Sequence, residues 1–225
     1  MFRRLATLAL AATLSLLTAA RADAGGFAKP PDGDAPPAGY AGLRLPPEVA
    51  PAMRDRLKRI LITRRAKNIA AFRAYATRGV YPHNFVREGA LNVWIDEEGH
   101  LCAAATMISR SGARALVRQV GREDNYIHLA DVTTGPVMDW ILTSGLTQLE
   151  VATIQEPFMR VEQPAPRPQP IVAVPGPSPR QLEDQRLAAR YREVLAMLAA
   201  GRDASLEAAI DRLATRPDLI ASLAR

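Results

Sequence analysis

Seven prolines fall in the sixteen residues from Pro164 to Pro179. Each lacks an amide N–H and locks φ at about −65°, so this stretch can neither continue a helix nor join a sheet. The prolines therefore divide the chain into a segment before them and a tail after them, which should pack on the core, on itself or on a partner. Residues 161–180 read as a stiff polyproline spacer. A recognition peptide for a partner's groove is the alternative.

The other end constrains destination rather than fold. Arg3 and Arg4 open the chain, and Leu5 to Leu17 follows without a charge. Ala22-Asp23-Ala24 fits a small-x-small cleavage site, with Gly25 as the mature start. This is the pattern of a secretory signal peptide over residues 1–24. The apolar run is shorter than the roughly 20 residues a transmembrane helix needs. No cysteine follows it, which argues against a lipoprotein. The expected location is therefore periplasmic or secreted. Residues 25–47 hold six prolines among glycines and read as a flexible leader.

Export changes the charge. The first 24 residues hold three arginines and one aspartate, leaving 26 basic and 22 acidic residues, a net of +4. So mild a balance does not point to nucleic acid. A single cysteine among 225 residues excludes an intramolecular disulfide framework.

Helical periodicity begins near Glu48. Met53, Leu57, Ile60 and Leu61 recur at helical spacing, Phe72 and Tyr75 extend the stripe, and Gly79 and Pro82 end it. From Arg54 to Arg78 there are nine basic residues and one acid, Asp55. At 100° per residue these charges surround the helix instead of forming a stripe, which describes a solvated helix. Arg64 and Asn68 fall inside the apolar sector, so each needs a buried partner and should fasten a neighbouring loop.

Val80 to Gly89 reads as a loop. Leu91 to Ile95 reads as a strand, and Asp96-Glu97-Glu98-Gly99 as a tight turn. His100 to Ala104 either returns as a second strand or starts the next helix. Ala103 to Val120 is helical, broken at Ser111-Gly112. Asn125 to Val132 reads as extended. Val137 to Leu142 is a short helix closed by Ser144-Gly145. Thr147 with Glu150 forms a capping box for a helix ending at Gln155. Eight of the twelve aromatic residues lie between Met53 and Phe158, which places the core there. After the prolines, Leu187, Tyr191, Leu195 and Leu198 form one helical stripe, and Leu206, Ile210 and Leu213 a second. Pro217 opens a third helix.

Few residues offer chemistry. Cys102 sits just before a helix, where the dipole lowers a thiol's pKa. His100 or His128 could serve as base and Asp131 could orient it, an order that echoes papain-like and transglutaminase-like cysteine hydrolases. The competing reading is a buried cysteine that packs as a small hydrophobe. The three histidines, His83, His100 and His128, lack paired metal-ligand spacing, so no metal and no cofactor is expected. Asn84, Asp96 and Asn125 sit in turns, where they bond loop backbone or a ligand.

The quoted turns also form a longer pattern. Tyr81-Pro-His-Asn84, Trp94-Ile-Asp96-x-x-Gly99-x-x-Cys102-Ala, Ser111-Gly112, Asn125, and Trp140-x-x-x-Ser144-Gly-Leu-Thr147-x-x-Glu150-x-x-x-Ile154-Gln155 follow one another. Residues 68–158 thereby resemble a group of uncharacterised secreted bacterial proteins. Those proteins tend to carry Cys-Ala-Val-Gly where this chain has Cys102-Ala-Ala-Ala. The resemblance implies export and a shared domain and assigns no reaction. Asp96, Cys102 and Asn125 match its pattern, whereas His100 and His128 do not.

The sequence thus predicts a mainly α fold with a small β-hairpin (α+β): a compact helical core domain over 48–160 and a separate helical tail over 181–225. The expected function is a non-enzymatic binding or structural module for an envelope or extracellular partner. Its candidate binding residues are Arg64, Asn68, Asn84, Asp96 and Asn125. A cysteine hydrolase built on Cys102 is the alternative, and weak association with anionic envelope polymers is a third reading.

Overall fold

The structure, a computed structural model, describes residues 49–163 and 176–224. The signal peptide, the leader and most of the proline spacer lie outside the described residues. The fold is mainly α with a small antiparallel β pairing. Among the described residues, no helix is long and apolar enough to cross a membrane.

Helix α1 (Pro51–Arg78) runs unbroken through the core. Pro51 suits its first turn, and Gly79 at φ 66° ends it in the left-handed region. Its buried face reads Leu57, Leu61, Arg65, Asn68, Phe72 and Tyr75, steps of three and four residues. Two polar residues thus lie in the middle of an apolar stripe.

Strand β1 (Ala90–Leu91) pairs with β2 (Phe158–Met159), far apart in sequence. The Asp96–Gly99 turn is closed by one bridge, Ile95 to Leu101. Cys102 then caps α2 (Ala103–Arg110), so the chain takes the helical alternative there. Gly112 breaks α2 from α3 (Arg114–Glu123). Helices α4 (Gly135–Thr143) and α5 (Gln148–Ile154) follow, and Thr147 and Glu150 form the expected capping box.

The stretch Asn125–Val132 is a loop and not an extended strand. Side-chain amides stand in for a strand partner there. Gln155 accepts from the Leu129 N–H at 2.9 Å and donates to the Ile127 carbonyl at 2.8 Å. Gln148 Nε2 donates to the carbonyls of Leu129, Ala130 and Val132.

Helix α6 (Pro179–Ala200) begins inside the stretch read as spacer, capped by Ser178 with Gln181. It leads to α7 (Arg202–Ala214) and α8 (Pro217–Ala224). The tail expected as a separate domain belongs to the same compact unit as the core. The Tyr191 ring lies 5.4 Å from Phe72, 5.5 Å from Tyr75 and 5.3 Å from Tyr81. Burying an aromatic cluster of this size stabilises more than either piece could achieve alone. Leu187, Val194, Leu198, Leu206, Ile210 and Leu213 complete that shared interior.

Candidate functional site

The catalytic residues considered for Cys102 do not assemble. Cys102 is 1% exposed, and its Sγ accepts from the Ala105 N–H at 3.4 Å. Burial pushes its thiol up to about 12, although backbone N–H groups at the helix start pull the other way. Cys102 does sit at the helix start, but desolvation outweighs the pull of the helix N-terminus. His128 and Asp131 are exposed and 3.9 Å apart, on the loop before α4. His100 bonds Asp96 through Nδ1 at 3.1 Å.

The five candidate binding residues are mostly structural fasteners. Asn84 is fully buried and bonds its own loop: Nδ2 donates to the carbonyls of Arg87, Gly89 and Phe158, and Oδ1 accepts from Val86 and Arg87. Asn125 brackets Ile95, accepting from its N–H and donating to its carbonyl. Asp96 collects the N–H groups of His83, Glu98 and His100. Asn68 is buried and donates to the Ser144 carbonyl at 2.9 Å, fastening the α4–α5 loop as expected. Arg64 also reaches that loop, donating to the Thr143 carbonyl at 3.1 Å, but it does so from an exposed position and not from the apolar sector.

The strongest polar tie was not anticipated. Arg65 is 2% exposed and grips Glu150 with two parallel bonds of 2.7 Å. It also donates to the carbonyls of Gly145 and Leu198. One guanidinium thereby joins α1, the α4–α5 loop, α5 and α6. Gly145, at φ 81°, has to be glycine, because a Cβ there would come within 2.2 Å of the Leu61 carbonyl. The signal was present in the stripe, since Arg65 lies four residues after Leu61.

A different face offers a site. A hollow of about 440 Å³ lies over the Ser111–Gly112 break, with Arg64, Lys67 and Arg110 around it and Trp140 at its wall. The Trp140 indole N–H donates to the Ser111 hydroxyl at 2.8 Å. A second hollow of about 910 Å³ shares Arg110 and adds Arg78 and Arg114. A third of about 460 Å³ shares Arg114 and adds Arg118 and Arg122. No carboxylate is among the residues lining the three. Lys67, Arg110, Arg114, Arg118 and Arg122 make no ion pair among the described residues.

Helix α3 breaks local rules to build this face. It starts with Arg114, has no side-chain cap and no acid in its first turn. A cation there opposes the helix dipole. Arg114, Arg118 and Arg122 then follow at four-residue spacing, and like charges so placed destabilise a helix by about 0.2–0.5 kcal/mol per pair. Residues that cost local stability without an internal partner mark functional surfaces. The i, i+4 arginine repeat was visible in the sequence. Its junction with Arg64, Lys67 and Arg110 was not, because three helices build the surface.

One group of histidines and carboxylates also converges. His83, Asp96, Glu98 and His100 bring donor atoms within 4.8 Å of one another. His83 is buried, and burial, aided by Arg180, lowers its pKa and favours the neutral ring. The chain matches no family model, no curated protein and no solved structure.

Proposed function

We propose that this chain is an exported, non-enzymatic binding module that takes an anionic polymer of the envelope or exterior across its α1–α2–α3 face. The carrying observation is the joined set of carboxylate-free hollows lined by arginines that have no ion-pair partner. Such a surface holds a positive field that an anion can lower and that nothing inside the protein neutralises. The three hollows adjoin through Arg110 and Arg114, so an extended ligand fits the layout better than a small one. Export rests on the sequence pattern of residues 1–24. A hydrolase built on Cys102 would need substrate to reach a thiol that is 1% exposed.

The test is binding of the full mature chain to polyphosphate, followed by calorimetry from low to high salt, with neutral dextran as control. Expected is saturable binding to polyphosphate whose affinity falls steeply as salt screens the charges, and none to dextran. Absence of binding at low salt, or binding indifferent to salt, would overturn the proposal.

A further inference from the structure

We propose that His83, Asp96, Glu98 and His100 form a site for a first-row divalent cation, with zinc as the fitting ion. The proposal is independent of the polyanion reading. The spacing of the donors comes first. His100 Nδ1 lies 3.1 Å from Asp96 Oδ2 and 3.4 Å from Glu98 Oε2, and His83 Nδ1 lies 3.6 Å from Asp96 Oδ2. Four ligands about 2.0–2.1 Å from a tetrahedral zinc stand about 3.3–3.4 Å apart. These three of the six separations straddle that edge length and the others lie within 4.8 Å, so an ion would draw the four side chains together. Two imidazoles and two carboxylates suit zinc and balance its charge.

The second observation is His83 itself. Its side chain is 3% exposed, and neither ring nitrogen has a hydrogen-bond partner. Buried imidazoles ordinarily satisfy at least one nitrogen. An ion on Nδ1 would satisfy that nitrogen and leave the proton on Nε2. Nε2 faces Asp184 Oδ1 on α6 at 3.7 Å, and that buried oxygen also lacks a partner. A carboxylate behind a ligating histidine fixes its tautomer and orientation. An ion would thus account for the unsatisfied Nδ1, with Nε2 and Asp184 Oδ1 paired to each other behind it.

The backbone prepares the arrangement. Asp96 Oδ1 accepts the N–H groups of Glu98 and His100, and Gly99 turns the chain at φ 83°. This holds Glu98 and His100 over the same carboxylate, whose Oδ2 points to both histidines. Arg180 currently bonds Glu98 at 3.0 Å from the exposed side, and it must yield Glu98 when the ion enters. Asp96, Glu98 and His100 are neighbours in the sequence, but nothing in their spacing alone asks for a metal. The fold brings in the fourth donor, His83, from the preceding loop.

The full chain is stripped with chelator and titrated with Zn²⁺ by calorimetry, and with Co²⁺ as an optical probe. One equivalent of Zn²⁺ and the intense visible bands of tetrahedral Co²⁺ are expected. His100→Ala should weaken binding at least tenfold. Glu98→Gln, exposed and isosteric, should weaken it without touching packing, which keeps the test valid if His100→Ala misfolds. Asp184→Asn should weaken it by about tenfold, the usual effect of an outer partner. His128→Ala, outside the cluster, should leave it unchanged. Failure to bind one equivalent, or equal affinity in His100→Ala and Glu98→Gln, would overturn the site. Equal loss in His128→Ala would do the same.

Discussion

Two sets of arginines in this molecule have opposite fates. Toward α5, α6 and α7 the cations are matched. Arg65 holds Glu150 in the interior, Arg186 and Arg190 share Glu156, and Arg54 and Lys58 share Glu207. Along α2 and α3, Arg110, Arg114, Arg118 and Arg122 face solvent and make no ion pair among the described residues. The first set ties the tail to the core, so its charges are spent on the fold. The second contributes nothing to folding that the structure reveals, and its helix would be more stable without it.

The matched side should break hardest. Arg65→Met leaves the Glu150 carboxylate buried without its partner and frees the carbonyls of Gly145 and Leu198. A loss of about 3–5 kcal/mol is expected, read as a lower urea midpoint at neutral pH. Equal stability would show that the bonds of Arg65 to Glu150 and to the Leu198 carbonyl do not hold the fold together.

The same pair sets an acid response. Burial alone would raise the Glu150 carboxyl, but the Arg65 guanidinium, the Thr147 N–H and the Ser205 hydroxyl outweigh it and hold the group below its ordinary 4.5. The folded state therefore binds fewer protons than the unfolded chain near that pH. Its contribution is complete above 4.5 and disappears as pH falls through the lower native value. In Arg65→Met, burial dominates and the carboxyl rises, so the sign reverses and stability from this group falls as pH rises. Urea midpoints measured between about pH 3 and pH 6 on both proteins check this, and parallel curves would refute the assignment.

How much of this was legible depends on how many elements a feature needs. The Thr147–Glu150 capping box is local and was readable from four residues. Asn68 was readable as a fastener because a polar residue in an apolar sector must find a partner, whereas Arg64, placed in that sector by the helical projection, is exposed and its neighbour Arg65 is buried. Arg65 escaped because it counted among the charges that surround the helix, although its spacing from Leu61 placed it inward. The Asn125–Val132 segment looked extended from its β-branched and aromatic residues, and Gln148 and Gln155, distant in sequence, decided otherwise. The basic face and the His83 cluster join residues from several elements, and no single-helix projection reveals such a surface.

The smallest effect on stability is also the most direct test of the contrast. Arg114→Glu puts an acid at the start of α3 and four residues before Arg118, both favourable placements. A gain of a few tenths to about 1 kcal/mol is expected from urea unfolding. The decisive measurement is the polyphosphate affinity of this same variant against the wild-type chain at one low salt concentration. Binding weakened tenfold or more, in a protein at least as stable, is the expected result. Unchanged affinity would contradict the claim that the unmatched arginines are held for an anionic ligand.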